Sequence, residues 1–344
     1  MTTARSKLVL FLSKECNSNC PHCQWRLYDA DFFTGGRMRF EKAQAILDYY
    51  FDAGLRHPLI QAEGEILMYP FYQDVLRYAR HKGYNRSPLV TNGIVLHRFH
   101  ELIFEYVNAV TVSIDGHDHE TYRRTRGGSR AMFERVTGNT RQLAREKRRR
   151  GLPLPVGINY IANVANIEHI PKMIEVAQRL EVDFIRFGNF HPIAAPGQAA
   201  IKPLLAHDQR VMDILSAVTA RTDYAVGVKI QTPYSLLGDL RCDMVAEHVV
   251  IGSESVYSPC CHIPPSAGFG RFEDAPVGSE GLDRFRTAFT SASSHMELPS
   301  TCVYCPRLSP GYAVFDPESG AWTGLDGLAR AAAATALPWE DRHA

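Results

Sequence analysis

Short apolar runs alternate along this chain with longer segments in which apolar residues recur at helical spacing. Short runs rich in β-branched residues predict strands, and the longer periodic segments predict helices. The predicted strands cover residues 9–12, 57–61, 88–90, 109–114, 156–162 and 183–187. The predicted helices cover residues 42–53, 72–81, 97–107, 131–150 and 167–180. Counted from Val9, the pattern gives six strand–helix repeats.

The order of these elements predicts an α/β fold. Strands that alternate with helices of ten or more residues form parallel sheets with right-handed crossovers. Six repeats are too few for a closed eight-stranded barrel of about 250 residues, so we expect a partial, open, TIM-like (β/α)6 barrel. Functional groups then lie on loops at the C-terminal ends of the strands. We place the barrel in residues 1–205, a linker helix and strand in 206–235, a small cysteine-containing domain (β-hairpin plus helix) in 236–310 and a tail in 311–344. The alanine-rich stretch at 328–337 predicts one helix in that tail.

Composition and charge narrow the classes of function. The chain has 344 residues, of which 45% are hydrophobic, enough for a buried core. Its 38 basic and 37 acidic residues nearly cancel, so no overall field draws it to nucleic acid or a membrane surface. We interpret the basic run at 145–150 as the solvated end of a helix. The apolar run between Lys7 and Lys14 is too short for a signal peptide or membrane span, so we expect a cytoplasmic protein.

Three of the eight cysteines lie on one short loop directly after the first predicted strand. Cys16, Cys20 and Cys23 have the spacing C-x3-C-x2-C. In a reducing cytoplasm such cysteines indicate metal binding rather than disulfides. Three thiolates so close together suit a cubane iron–sulfur cluster or a zinc ion. Zinc would take a fourth ligand from His22 or Cys242, whereas a cluster with three protein ligands leaves one iron open to a substrate.

With this spacing the loop resembles the signature of the radical S-adenosylmethionine (radical SAM) superfamily. The resemblance implies a [4Fe–4S] cluster on the three cysteines and SAM chelated to the open iron through its amino and carboxylate groups. It also implies an electron donor of the flavodoxin or ferredoxin type. His22 stands where that family usually has an aromatic residue near the adenine, and an imidazole is also flat.

The loop after the second predicted strand is similar to the family's Gly-Gly-Glu-Pro loop, which holds the SAM amino group. Gly64 and Glu65 match that loop, while Glu63 replaces its first glycine and Ile66 its proline. Small residues let the backbone carbonyls come close to an ammonium group, and a carboxylate side chain can pair with its charge. On its own, however, Glu-Gly-Glu is more often a plain turn.

Residues at later strand ends complete the expected SAM contacts. Asn92 and Ser113 follow the third and fourth strands, and the resemblance implies that Ser113 faces the ribose or the methionine part of SAM. Arg126, in a basic loop before the long helix, can pair with the SAM carboxylate, and Asn159 on the fifth strand can reach the ribose. Asp115 fits the family's strand-ending Asp-Gly, with no contact assigned to it.

Five cysteines remain in the C-terminal part. Cys302 and Cys305 form a C-x2-C pair, and Cys242 and Cys260 flank a predicted hairpin in which 249–251 pairs with 256–258. Four thiolates suit zinc as well as a cluster. The order resembles the shortened auxiliary-cluster, or twitch, domain of radical SAM enzymes, which implies a second [4Fe–4S] cluster on these four. Cys261 is left over, as a small buried thiol or a hydrogen-atom donor, and Cys260 and Cys261 can exchange roles.

The resemblance implies an enzyme that generates a 5′-deoxyadenosyl radical and takes a hydrogen atom from an unactivated carbon. The spacing Cys242-x17-Cys260 looks like that of the 2-deoxy-scyllo-inosamine dehydrogenases of aminoglycoside antibiotic biosynthesis, in which the second electron leaves to the auxiliary cluster. We therefore expect dehydrogenation of a CH–OH carbon in a sugar, aminocyclitol or nucleoside. Arg186, a charge inside an apolar strand, is the candidate that accepts or relays the hydroxyl proton.

Three alternatives stay open. An epimerase would use Cys261 to return hydrogen to the opposite face of a similar substrate. A peptide maturase would need a separate recognition chain, since the first cysteine is residue 16 and no leader-binding domain of about eighty residues precedes it. A metal-bearing scaffold without catalytic activity is the third alternative. The early position of the cysteine loop favours a small-molecule substrate.

Overall fold

The computed structural model describes residues 7–28, 31–191, 201–235, 242–276, 279–293, 297–298, 302, 305 and 311–332. Its strands are β1 (Lys7–Phe11), β2 (His57–Gln61), β3 (Ser87–Thr91), β4 (Val107–Ser113), β5 (Val156–Ala162), β6 (Phe184–Asn189), β7 (Gly227–Gln231), β8 (His248–Ile251), β9 (Tyr257–Ser258), β10 (Tyr312–Asp316) and β11 (Ala321–Thr323).

The α-helices are α1 (Gln24–Tyr28), α2 (Phe40–Asp52), α3 (Tyr72–Lys82), α4 (His100–Tyr106), α5 (His119–Arg126), α6 (Arg130–Arg149), α7 (Ile170–Arg179), α8 (Gln209–Thr219), α9 (Asp243–Glu247), α10 (Glu280–Thr290) and α11 (Leu325–Ala332). Short 3-10 helices cover Phe32–Thr34, Ile66–Met68, Leu96–Arg98, Ile167–His169 and Ala267–Phe269.

The strands form two sheets, with the orders β2-β1-β8-β9 and β11-β10-β7-β6-β5-β4-β3. Strands β3 to β7 pair in parallel, and β1 pairs in parallel with both β2 and β8. Strands β2 and β3 meet without a ladder, through bonds from Ile60 N to Ser87 Oγ (2.9 Å) and from Gln61 Nε2 to the Pro88 carbonyl (2.9 Å). Pro88 has no N–H to donate, which interrupts pairing there. The prediction of an open α/β barrel with a parallel sheet is confirmed.

Each strand of the parallel sheet buries alternate residues against the helices. Val112, Ile158, Ile185 and Val228 are almost fully buried and belong to the main hydrophobic core. Because side chains alternate along a strand, the residues between them face the opposite, inner side of the sheet. On that side Ser113, Asn159, Arg186 and Lys229 are only half-buried, so this part of the sheet is open to a ligand.

The basic run at 145–150 lies at the C-terminal end of α6, as predicted. Arg145 and Arg148 form ion pairs with Glu181, and Arg149 pairs with Glu146. Cations at this end of a helix also interact favourably with the exposed carbonyl groups of the last turn. The run is therefore balanced by neighbouring acids.

Helix α5 replaces the basic loop expected around residues 123–126. The Asp118 carboxylate accepts a hydrogen bond from Thr121 N (2.8 Å), and Thr121 Oγ1 accepts one from Asp118 N (3.2 Å). Gly127 then ends the helix at φ 68°. The sequence prediction missed this capping box because its third position usually holds Glu or Gln rather than Thr.

The C-terminal segments also extend the sheets. The predicted hairpin is confirmed, since β8 and β9 pair antiparallel with Ile251 opposite Tyr257. The tail, predicted to contain only a helix at 328–337, contributes β10, which pairs antiparallel with β7. Helix α11 covers the start of that predicted helix, and residues from 333 on lie outside the described part. The proposed domain boundaries stay a prediction.

No helix in the described part of the chain combines the length and the apolar character needed to cross a bilayer.

Candidate functional site

The three cysteines of the N-terminal loop share one cleft at the C-terminal edge of the sheet. The loop follows β1 and turns tightly, with a hydrogen bond from Cys23 N to the Cys20 carbonyl (3.1 Å). The cleft is lined by Cys16, Ser18, Cys20, His22, Cys23, Phe33, Glu63, Gly64, Glu65, Val90, Thr91, Asn92, Ser113 and Arg126. The structure therefore brings together, around the three thiols, all the expected SAM contacts except Asn159.

The electrostatics of the cleft suit a metal cluster. Burial raises the pKa of Cys16 to about 11, and the negative charges of Glu65, Cys20 and Cys23 act in the same direction. Burial also raises the pKa of Cys23. Thiols so placed become thiolates when bound iron offsets their charge. Among the described residues no three His, Cys, Asp or Glu side chains form a ready site for a metal ion, so the cluster assignment rests on the spacing, the shared cleft and the soft donor set.

Two glycines let neighbouring loops pack directly on the cysteine loop. A Cβ at Gly64 would lie 2.0 Å from the Glu15 carbonyl oxygen, and one at Gly127 would lie 2.5 Å from that of Asn19. Glu65 N also donates to the Glu15 carbonyl (2.7 Å). No side chain fits at these contacts, so the two glycines set the distance between the loops.

Replacing Gly64 by alanine is expected to lower the free energy of unfolding by about 1–3 kcal/mol and to reduce iron incorporation, because the added methyl group forces two backbones apart. Gly138→Ala, inside α6, is the matched control, since a Cβ there has nothing within 4 Å. That control is expected to stabilise the protein by roughly 0.5–1 kcal/mol. Urea unfolding measures the stability of both variants, and iron analysis measures their iron content. A Gly64→Ala variant that is as stable and binds as much iron as Gly138→Ala would contradict the packing argument.

Glu65 connects the ends of β2 and β3. Its carboxylate accepts hydrogen bonds from Asn92 N (2.6 Å), Thr91 Oγ1 (2.7 Å) and Leu67 N (3.2 Å). Burial raises its pKa, and these donors oppose that shift. The Asn92 side chain extends the network with a bond from Nδ2 to Asn17 Oδ1 (2.7 Å) in the cysteine loop. Both residues therefore hold the cleft wall in place.

Asp115 is a residue whose partners the sequence did not reveal. It is 1% exposed and forms ion pairs with Arg126 Nε (2.6 Å) and His22 Nε2 (3.3 Å). Its other oxygen accepts a hydrogen bond from Ile161 N (2.6 Å). Burial alone would raise the pKa of Asp115, but Arg126 and His22 outweigh it and lower the pKa to about 2.

This network fixes His22 and Arg126 beside the thiols. His22 Nδ1 donates to the Thr125 carbonyl (2.5 Å), and Arg126 Nη1 donates to Cys20 Sγ (3.4 Å). Arg126 thus uses two of its nitrogens within the protein and leaves its remaining N–H groups for a ligand in the cleft. The guanidinium of Arg126 therefore lies in the cleft where the carboxylate of SAM is expected.

Glu63 is a second residue whose position was not foreseen. It is 4% exposed, its Oε1 accepts a hydrogen bond from Ser253 N (3.1 Å), and its Oε2 has no hydrogen-bond partner among the described residues. Burial raises its pKa to about 7, although the bond from Ser253 opposes the shift. The carboxyl group therefore loses its proton near pH 7 rather than near 4.5, and its bond from Ser253 N links the cleft to the β8–β9 hairpin.

Glu63→Gln is expected to stabilise the protein at pH 8 by up to about 3 kcal/mol, since the folded state then no longer holds a buried carboxylate. Because the folded pKa of about 7 lies above the ordinary value of 4.5, the stability of the wild-type protein falls as pH rises from about 4.5 to 7. The difference in the free energy of unfolding between Glu63→Gln and wild type should vanish near pH 4. Thermal unfolding between pH 4 and 8.5 measures this difference, and Glu254→Gln, at an exposed side chain, is the control. A difference that is constant with pH would contradict the argument.

The remaining predicted residues lie along the inner side of the sheet. Ser113 lines the cleft, and Asn159 is its register partner on β5. Arg186, one strand further, is the register partner of Asn159 and donates from Nη2 to Tyr312 Oη (2.8 Å). Asn159 and Arg186 are therefore connected to the cleft by the sheet without lining it. Tyr312 was missed because the pattern around it gave only a tail.

The second set of cysteines lies in a separate buried cluster on the other face of β1. Side chains of Cys242, Cys260, Cys302 and Cys305 are 5% to 8% exposed and belong to one hydrophobic cluster with Val9, Phe11 and Val250. Cys261 is half-buried and packs against it. Burial raises the pKa of Cys260, and Cys261, Cys305 and Cys302 add to the shift.

Comparison with known proteins agrees with this geometry. Residues 10–161 match the family model of the Radical SAM superfamily. The chain is 24% identical over 155 residues to the S-adenosyl-L-methionine-dependent tRNA 4-demethylwyosine synthase of Methanocaldococcus jannaschii, covering 45% of this chain and 46% of the relative. It is 28% identical over 130 residues to a probable GTP 3′,8-cyclase of Saccharolobus islandicus, covering 38% and 40%. The chain thus spans less than half the length of these two relatives.

Solved structures show the same fold. SuiB of Streptococcus suis bound to its precursor peptide SuiA aligns with a TM-score of 0.65 at 15% identity, covering 89% of this chain and 71% of that one. The enzyme anSMEcpe with bound AdoMet aligns with a TM-score of 0.61 at 14% identity, covering 87% and 88%.

The match of residues 10–161 to the Radical SAM superfamily model covers less than half of the chain, and the solved structures share its partial barrel fold. A domain of that superfamily would hold a [4Fe–4S] cluster and SAM, and the cleft around Cys16, Cys20 and Cys23 provides three thiols for such a cluster.

Proposed function

We propose that this protein is a radical SAM dehydrogenase that oxidises a CH–OH carbon of a small sugar-like molecule, namely a sugar, an aminocyclitol or a nucleoside, to a ketone. The observation that carries the radical chemistry is the single cleft shared by Cys16, Cys20 and Cys23 with the loops that end β2 to β4. A bound [4Fe–4S] cluster and SAM supply the 5′-deoxyadenosyl radical that takes a hydrogen atom from the substrate.

Residues of the cleft would orient the cofactors. The three cysteines hold the cluster, and Gly64 and Glu65 face the amino group of SAM. Arg126, which Asp115 holds in place, presents its free N–H groups to the SAM carboxylate. Ser113 and Asn159, paired across β4 and β5, are placed toward the ribose, and His22 is placed toward the adenine.

Arg186 and Tyr312 would handle the hydroxyl of the substrate. Because a guanidinium stays protonated in proteins, Arg186 cannot itself take up the hydroxyl proton. Arg186 and Tyr312 are joined by a bond of 2.8 Å from Arg186 Nη2 to Tyr312 Oη. The proposed pair positions the hydroxyl and stabilises the alkoxide that forms when the hydroxyl, made acidic by loss of the hydrogen atom from its carbon, releases its proton to water.

Dehydrogenation removes a hydrogen atom, a proton and an electron, so it needs an electron acceptor. Cys242, Cys260, Cys302 and Cys305 would hold a second [4Fe–4S] cluster, which would supply that acceptor. Their shared burial with Val9 and Phe11 of β1 supports this proposal, because four soft donors in one buried cluster suit iron–sulfur coordination. A flavodoxin- or ferredoxin-type protein is the proposed donor of the first electron.

Cys261 supports a second candidate function. It packs beside the buried thiols and is only half-buried, so its thiol is more accessible to a substrate than theirs. An epimerase returns hydrogen to the substrate and needs no electron acceptor in each turnover. A modified peptide is a further outcome of the test below, since the neighbour SuiB was solved with a precursor peptide.

Anaerobic turnover in deuterated water tests these functions. The reconstituted protein is supplied with SAM, a reductant and a panel of sugar, aminocyclitol and nucleoside compounds, and 5′-deoxyadenosine and product mass are followed together. Loss of two hydrogens identifies the dehydrogenase. An unchanged formula with one solvent deuterium identifies the epimerase, and Cys261→Ala should then abolish product while 5′-deoxyadenosine still forms. If the cluster is intact but none of these compounds stimulates SAM cleavage, the proposed substrate class is wrong.

A further inference from the structure

The inner side of the sheet carries two cations that no described acid balances. Arg186 on β6 and Lys229 on β7 are register partners, and both are half-buried. Within the described residues, both side chains contact Tyr312 rather than a carboxylate. Two neighbouring cations partly removed from water repel each other unless an anion lies between them. Their arrangement is therefore incomplete without a negative group.

Tyr312 organises the pair. Its ring centroid lies 4.3 Å from Lys229 Nζ, a cation–π contact, and its hydroxyl accepts the bond from Arg186 Nη2. Arg186 Nε is buried and has no hydrogen-bond partner among the described residues. A buried donor without an acceptor costs free energy. Arg186 Nε can therefore donate a hydrogen bond to a bound ligand, since no described residue accepts one from it.

The two cations lie at one end of a row that begins at the cysteine cleft. Ser113, Asn159, Arg186 and Lys229 are successive register partners on β4, β5, β6 and β7. Neighbouring strands are about 4.8 Å apart, so the cations are roughly 10–15 Å from Ser113 across the sheet. A molecule the size of a sugar or nucleoside ester spans that distance.

We propose that Arg186 and Lys229 form a subsite for an oxyanion, a phosphate or carboxylate group, of the substrate. The proposal rests on the proposed function, in which Arg186 and Tyr312 hold the reacting hydroxyl. It places the anion on the same substrate, beside Lys229 and the Arg186 Nε that has no hydrogen-bond partner among the described residues. A guanidinium binds two oxygens at once, and an ammonium adds a compact charge. The subsite favours sugar phosphates, nucleotides or sugar acids over aminocyclitols, whose own ammonium groups the cations repel.

Calorimetric titration at constant ionic strength tests the subsite. The probes are inorganic phosphate, glucose 6-phosphate, glucuronate, glucose and glucosamine, added to the reconstituted protein without reductant. At least one oxyanion probe should bind roughly tenfold or more tightly than glucose, and glucosamine should bind no better than glucose. The phosphate and carboxylate probes together show which oxyanion is preferred.

Variants connect that preference to the two residues. Lys229→Gln should weaken binding of the preferred oxyanion by about tenfold while leaving glucose unchanged, and Arg186→Gln should weaken binding of that oxyanion by at least as much. Lys229→Arg keeps the charge and should retain the preference. The matched control is Arg210→Gln, an exposed arginine on α8 that pairs with Glu168, and it should have no effect.

Two results would overturn the proposal: no oxyanion binds the wild-type protein better than glucose, or the preference persists in both glutamine variants. Because binding is measured without radical formation, it is independent of turnover. SAM cleavage without an oxyanion preference removes the subsite alone. An oxyanion preference in a protein that never cleaves SAM leaves the subsite and removes the proposed function.

Discussion

Replacing Cys16 by alanine is expected to abolish SAM cleavage and to remove about four irons per chain. With the two proposed [4Fe–4S] clusters the wild-type protein would hold about eight irons, and loss of one thiolate from the proposed three-cysteine site would leave the first cluster with two protein ligands. Burial raises the pKa of Cys16 to about 11, so its thiolate forms when bound iron offsets the negative charge. The reductive cleavage of SAM then falls to the rate found without protein.

Cys242→Ala provides the matched control. It removes one buried thiol from the second set, so it should also lower the iron content to about four per chain. In contrast to Cys16→Ala, it should keep the cleavage of SAM, because the cleft around the first loop is intact. Iron and sulfide analysis, electron paramagnetic resonance and 5′-deoxyadenosine formation are measured on all three proteins. Fewer than about four irons in the reconstituted wild-type protein, or bound zinc in their place, would contradict the radical function.

Replacing Asp115 by alanine is expected to lower the free energy of unfolding by about 3–5 kcal/mol, because it leaves the buried Arg126 without its counter-ion. The loss should also release His22 and β5, which Asp115 holds through Ile161 N. Since burial of the remaining charge is the cause, Asp115→Asn should destabilise the protein too. Anaerobic urea unfolding followed by circular dichroism measures the change.

The control for this variant is Asp74→Ala, which breaks an exposed ion pair with Arg77 on α3 and should cost less than about 1 kcal/mol. The stabilisation of the folded protein by the Asp115 carboxylate should also depend on pH. Its folded pKa of about 2 lies below the ordinary 3.8, so its stabilisation is present above about pH 4 and is lost as pH falls toward 2. The unfolding curves of Asp115→Ala and wild type should therefore converge in acid, and a gap that persists at pH 2 would refute this explanation.

The strands of the barrel were predictable because their signal is local. Residues 57–61 and 156–162 were predicted as strands, and the structure has β2 and β5 at the same residues. These strands are short apolar runs that end at turn residues, and burial of a sheet requires that pattern. The cysteine loop was predictable for a similar reason, because its spacing is contained within eight residues.

The contacts that complete the cleft were not predictable from such patterns. Asp115, Arg126 and His22 come from three separate segments, and nothing in the sequence near Asp115 indicates which cation it meets. Arg186 and Tyr312 are separated by 126 residues. The tail around Tyr312 forms a strand only because β7 offers it a free edge, which is a tertiary cause.

The pairing of β8 with β1 has a consequence during translation. Lys7 lies opposite His248 and Leu10 opposite Ile251, so one edge of the first strand has no partner until some 240 further residues have been synthesised. At 5–20 residues per second, the ribosome needs roughly 10–50 seconds to make them. During that interval a nascent chain exposes an apolar strand edge, which is a site for association with other chains. The thiols of the first loop are made early, yet the strand that carries them acquires its last neighbour late in synthesis.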